Sequence, residues 1–123
     1  MKLGIVGSRR RASDKDLQIL KERVIELQPD MIISGGCMTG ADRFAECIAK
    51  EFGIPITIYY PKLRRGVNYP SFEVTEAMYA RNQLIATHSD YLIALVAPDR
   101  KGGTENTIGY FKNTHQEEDL EIL

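Results

Sequence analysis

The 123-residue sequence predicts a single α/β domain, a three-layer sandwich built around a mostly parallel sheet. Three observations carry this expectation. Short apolar runs alternate with longer stretches of helical period, and glycine clusters stand where several apolar runs give way to the next helix. The composition, 43% hydrophobic and 27% charged residues, excludes disordered, collagenous and disulfide-built classes. The length suits one domain with a real core and not two.

Lys2-Leu3-Gly4-Ile5-Val6 reads as a first buried strand closed by Gly7-Ser8. Ser13 stands three residues before Asp16 in a capping-box pattern, and Leu17, Leu20, Val24 and Leu27 follow at helical spacing until Pro29. Asp30 to Ser34 predicts a second strand, broken by Gly35-Gly36-Cys37-Met38-Thr39-Gly40. A second helix begins near Ala41-Asp42, with Ala41, Phe44 or Ala45, Ile48 and Phe52 inward, and stops at Gly53 and Pro55. Ile56 to Tyr60 is β-branched and aromatic, hence a third strand.

Pro61 to Pro70 has no periodicity and is long for a strand-to-helix connection, the kind of loop that carries function. Ser71 is placed to cap a third helix reaching about Ser89, Asp90 to Val96 predicts a fourth strand, and Gly102-Gly103-Thr104 opens a fourth helix with Ile108 and Phe111 inward. Leu120 to Leu123 adds an edge strand. The expected order is 3-2-1-4-5, a Rossmann-like arrangement whose ligands bind outside the carboxyl ends of the strands, where the topology reverses beside the first strand.

In a parallel sheet every strand-to-helix loop lies at that carboxyl edge. Most of the glycines gather there, with the basic clusters Arg9-Arg10-Arg11 and Lys62, Arg64, Arg65. Glycine lets backbone amides approach a ligand, and helix starts offer unpaired N–H groups, so such an edge attracts phosphate or carboxylate. The bland alternative is that the glycines only make tight turns. Two familiar nucleotide signatures are absent. Ala41-Asp42 stands where a P-loop needs Lys and Ser or Thr, and the first turn lacks the G-x-G-x-x-G spacing.

Arg81 is the most informative residue. On the third helix it shares the stripe of Val74, Ala77, Met78 and Ile85 that should pack on the sheet, so its guanidinium needs a partner. A bound anion and an internal carboxylate such as Asp42 are both open, and the adjacent Asn82 is placed to meet a ribose or phosphate.

The net charge of −1 argues against a dedicated nucleic-acid binder, although the basic clusters leave that partner open. No cofactor is expected, and His88 and His115 share no metal-ligand spacing with each other or with Cys37 and Cys47. The cysteines read as two thiols, Cys37 lacks a base constellation for catalysis, and the acidic run Glu117, Glu118, Asp119, Glu121 reads as a solvated surface. With no apolar leader and nothing near the roughly 20 apolar residues of a membrane span, the expected location is the cytoplasm, with no membrane partner.

Gly7-Ser8-Arg9, the run Ser34 to Arg43, the pair Arg81-Asn82, and Gly102-Gly103-Thr104-Glu105-Asn106-Thr107 occur in an order that resembles the SLOG superfamily, nearest to its small uncharacterised bacterial or phage members. That superfamily also holds DNA-processing protein A and the lonely-guy phosphoribohydrolases. The resemblance implies a Rossmann-like fold and binding of nucleotides or related derivatives, in some members with hydrolysis at the ribosyl bond. Superposing the lonely-guy Gly-Thr pair on Gly103-Thr104 puts Thr107 where those enzymes carry their glutamate, which leaves Glu105 or Asp42 as the nearby acids.

The leading expectation is a nucleotide or ADP-ribose-like small-molecule ligand held by Gly7, Ser8, Arg9, Ser34, Gly35, Gly36, Gly40, Asp42, Arg81, Asn82, Gly102, Gly103, Thr104 and Thr107. In that reading the 61–70 loop closes over the ligand and Asn106 or Thr107 completes the polar contacts. One alternative is cleavage or transfer at an N-glycosidic bond with Glu105 or Asp42 as the acid, base or nucleophile. Another is single-stranded nucleic-acid binding through Arg9 to Arg11, Lys62, Arg64, Arg65 and Tyr69. Homo-oligomerisation through helix faces is compatible with the pattern, which fixes no interface.

Overall fold

A computed structural model describes residues 1–123. Five strands, β1 (Lys2–Gly7), β2 (Met31–Ser34), β3 (Ile56–Ile58), β4 (Tyr91–Leu95) and β5 (Leu120–Ile122), form one sheet in the order β3-β2-β1-β4-β5. Every pairing is parallel. Four helices cover the sheet: α1 (Asp14–Leu27), α2 (Ala41–Phe52), α3 (Ser71–His88) and α4 (Gly103–Thr114), with a short 3-10 turn at Glu117–Asp119.

Strand alternation sorts the core into two layers. Leu3, Ile5, Ile32, Ile93 and Leu95 pack with Leu20 and Val24 of α1 and Ala45 and Ile48 of α2. Val6, Ile33, Leu92 and Ala94 pack on the other face with Ile85 and Ala86 of α3 and Ile108 and Phe111 of α4. With both faces buried, the strands need continuous apolar runs.

The α1 start is built as its sequence implies, with the Ser13 hydroxyl accepting from the Asp16 N–H and the Asp16 carboxylate accepting from the Ser13 N–H. Elsewhere the boundaries differ. Strand β3 ends at Ile58, because after the Tyr59 N–H reaches the Ser34 carbonyl the chain turns away from the sheet edge. Pro70, not Ser71, is the N-cap of α3; Ser71 is already helical and its carbonyl accepts from the Thr75 hydroxyl. On α2, Ala45 takes the inward position while Phe52 in the last turn is exposed.

The acidic tail is not uniformly solvated. Glu121 receives Nε and Nη2 of Arg23 at 2.6 and 2.8 Å and the Tyr91 hydroxyl at 3.1 Å, which fastens β5 to α1 and β4. No helix is long and apolar enough to cross a membrane.

Candidate functional site

The carboxyl edge of the sheet carries a funnel of two connected hollows. An outer vestibule of about 390 Å³ is lined by Gly7, Ser8, Arg9, Arg10, Cys37, Met78, Lys101, Gly102, Gly103 and Thr104. An inner recess of about 60 Å³ shares Gly7, Gly103 and Thr104 with it and adds Val6, Gly35, Asp42, Arg81, Asn82, Ile85 and Thr107. Both lie where β1 stands between β2 and β4, the position at which the topology reverses.

Close approach of the loops makes the funnel. Gly40 caps α2 at φ +74°, and a Cβ there would stand 2.7 Å from the Ser8 carbonyl, so only glycine lets the β2–α2 loop meet the β1–α1 loop. Helix α4 starts at Gly102 with no side-chain cap, leaving the N–H groups of its first turn directed at the vestibule.

Arg81 lies against the β2–α2 loop. Its Nη1 donates to the Gly35 carbonyl at 2.6 Å, its Nε to the Asn82 side-chain oxygen at 3.0 Å, and its Nη2 has only the Met78 sulfur at 3.7 Å. The Asn82 amide in turn donates to the Gly103 carbonyl at 3.3 Å and to Asn106 at 3.1 Å. The Arg81-Asn82 pair therefore bridges the two glycine loops, one on each side of β1. Asn82 is spent on that bridge and has no group left for a ribose or phosphate, which corrects its expected role. Arg81 keeps guanidinium hydrogens that meet no oxygen of the chain.

Asp42, at the start of α2, is buried and accepts from the Ser34 hydroxyl at 3.1 Å and the Cys37 N–H at 3.0 Å. Burial raises its carboxyl above the ordinary value, and these hydrogen bonds and the Arg81 charge only partly oppose that. Burial likewise lowers the Arg81 guanidinium, against the pull of Asp42. The two are not in direct contact as an ion pair, since Arg81 makes no salt bridge in the chain. Of the two partners open for Arg81, the internal acid supplies field but not hydrogen bonds.

Eleven of the expected ligand residues line the funnel: Gly7, Ser8, Arg9, Gly35, Asp42, Arg81, Asn82, Gly102, Gly103, Thr104 and Thr107. Three do not. Ser34 is buried beneath Asp42, Gly36 packs under Ile58 and Tyr60, and Gly40 backs onto Ser8, so these shape the loop and do not face the hollow. The Thr107 hydroxyl donates within α4 to the Gly103 carbonyl at 3.4 Å.

Glu105 is turned out of the funnel into a two-pronged pair with Arg100, both contacts at 2.9 Å, which removes it as a candidate acid; Asp42 is the carboxylate that remains. Asn106 is occupied by Asn82.

The basic clusters separate. Arg11 turns away to Asp16 and to the carbonyls of Val96 and Leu123, Arg10 pairs with Asp99 at 2.6 Å, and Arg9 alone of the three is free at the rim. No residue of 61–70 lines the funnel, so that loop does not cover it; the Tyr69 hydroxyl accepts from the Arg64 N–H and Lys62 borders a different groove. A continuous phosphate track for a single strand is therefore not assembled.

Lys101, Met78 and Cys37 line the vestibule although the sequence reading did not place them there. The signals were present: Lys101 directly precedes the Gly102-Gly103 helix start, and Met78 stands one turn before Arg81 in the same stripe. The two thiols are unpaired, His88 stacks on Tyr59 and His115 on Phe111, and no group of His, Cys, Asp and Glu is arranged to hold a metal. The chain matches no protein-family model, and no curated protein matches it in sequence.

Proposed function

We propose that this chain is a ligand-binding module for an anionic nucleotide or nucleotide derivative such as ADP-ribose, and that it belongs with the SLOG superfamily its motifs resemble. One observation carries the reading: the funnel separates charge by depth. In the recess Arg81 stands with Asp42, so the net charge is near zero and the surface offers both donors and acceptors. At the vestibule Arg9, Lys101 and the open start of α4 leave an excess of positive charge, with Arg10 alone neutralised by Asp99.

Such a gradient sorts a nucleotide by its parts. Phosphate belongs in the vestibule, whose volume falls in the range of small-ligand sites. The recess has room for a few water-sized groups and none for a base, so ribose hydroxyls are what it accommodates.

The test is thermal unfolding with a panel of AMP, ADP, ADP-ribose, adenosine and inorganic phosphate. Ligand at a hundred times its dissociation constant stabilises by about 2.7 kcal/mol. The phosphorylated nucleosides should raise the midpoint, adenosine should not, and Arg81→Ala should abolish the shift while the chain stays folded. No shift anywhere in the panel overturns the proposal.

A second reading, cleavage at an N-glycosidic bond, is favoured by one feature, the raised Asp42 carboxyl in the recess. It predicts release of free base from the ligand that binds best and loss of that release in Asp42→Asn. Binding without base release leaves a sensor or carrier.

A further inference from the structure

We infer that a second copy of this chain docks on the outward face of α3. The helix runs 18 residues but buries only Asn82, Ile85 and Ala86, all in its second half, whereas the 12-residue α2 buries five. Five of the ten exposed large apolar side chains, Tyr60, Val67, Phe72, Tyr79 and Leu84, come from α3 and the loop before it. Phe72 and Tyr60 are 62% and 64% exposed, which makes this an apolar patch and not the scattered exposure of an ordinary surface.

The patch surrounds a groove of about 540 Å³ between α3 and the chain at Tyr60 and Lys62. Its floor carries Ala77 and Ala80, small enough for another helix to approach closely. Glu73 and Glu76 stand on the helix side, and Lys62, Arg64 and Arg65 come from the loop. None of these five charges makes an ion pair within the chain, although seven pairs form elsewhere.

A surface holding both signs around an apolar strip is complementary to itself. A two-fold axis through α3 brings the acidic side of one copy to the basic loop of the other, which is the requirement for an isologous dimer. Nucleic acid or an anionic membrane would meet Glu73 and Glu76 as like charges. The other apolar groove, between α1 and the end of α2, is lined by Val24, Ile25, Gln28, Pro29, Phe52 and Ile54, with no charge to fix an orientation.

The same groove touches the site. Arg81 lines both the inner recess and the α3 groove, so the helix that carries it would be backed by the partner copy. The dimer does not depend on the ligand reading, and its test uses no ligand.

Light scattering on the eluting full chain, over a range of concentrations, should give twice the single-chain mass at high concentration. Ala80→Arg, at an exposed position, should weaken the dimer at least about tenfold with unchanged circular dichroism. Reversing the acidic side (Glu73→Lys with Glu76→Lys) or the basic side (Lys62→Glu, Arg64→Glu and Arg65→Glu) should do the same, and combining both reversals should restore the dimer. Single-chain mass at every concentration, or a dimer indifferent to Ala80→Arg and to both reversals, overturns the inference.

Discussion

The close approach of Arg81 to the β2–α2 loop can be tested with a single methyl group. A Cβ at Gly35 would lie 2.8 Å from Arg81 Nη1 and 3.0 Å from Asp42 Oδ2, distances that a carbon and these atoms do not tolerate. Gly35 has no positive φ, so the cost of Gly35→Ala is steric and not conformational. Overpacking of this kind costs about 1–3 kcal/mol. With an unfolding entropy of about 2.1 cal/mol/K per residue, 123 residues give about 0.26 kcal/mol/K, so the midpoint should fall by about 4–12 °C.

The cause is isolated by a double-mutant cycle. In an Arg81→Ala background the guanidinium is gone and only Asp42 Oδ2 crowds the new methyl, so Gly35→Ala should cost at least about 1 kcal/mol less there than in the parent. Thermal and urea unfolding of the four proteins measure this. If Gly35→Ala unfolds within a degree of the parent, or if the two substitutions are additive, Arg81 does not occupy the place described and the funnel loses its cationic wall.

Two further perturbations probe other parts of the same architecture. Burial raises the Asp42 carboxyl, so the folded chain holds that proton more tightly than the unfolded chain; Asp42 then costs stability at neutral pH, and the cost lifts as pH falls through its folded pKa toward the ordinary 3.8. Asp42→Asn cannot titrate, so the stability of the parent relative to this variant should rise between pH 7 and pH 4, by about 1.4 kcal/mol for each unit of elevation, and parallel pH curves would refute it. Glu121→Gln removes the carboxylate that holds Arg23 and Tyr91; discounted for partial exposure, the loss should be about 1 kcal/mol, or about 4 °C. Amide exchange should speed up at β5 before β1, and equal acceleration in both strands would show that Glu121 does not fasten the edge.

What the sequence made legible was local. Strands buried on both faces announce themselves as continuous apolar runs, Ser13 and Asp16 are three residues apart, and the glycine loops follow their strands directly. The sheet order followed because alternating strands and helices leave few arrangements. Pairings between distant residues stayed hidden. Glu121 meets Arg23 across 98 positions and leaves no local mark, so it read as part of a solvated acidic tail. The arginine triplet read as one patch because the turn that brings the Arg11 N–H to the Ser8 carbonyl, sending Arg11 away from Arg9, is a property of the folded loop. The loss of Glu105 to Arg100 has a related origin: Arg100 adopts φ +55°, a left-handed conformation rare outside glycine, and with it the chain before α4 turns back on the helix start.

Arg81 joins the two proposals in one thermodynamic statement. It borders the recess on one side and the α3 groove on the other, while its Nη1 and Nε are already fixed by Gly35 and Asn82. A partner copy packed against α3 would restrict the remaining freedom of that side chain before any ligand arrives, and a ligand anchored on Arg81 would restrict the same freedom before the partner arrives. Linkage then requires that whatever factor the dimer adds to ligand affinity, the ligand adds to dimer affinity. A ligand that binds both forms equally would place the recess and the groove on independent sides of a rigid guanidinium, and the shared lining would carry no coupling.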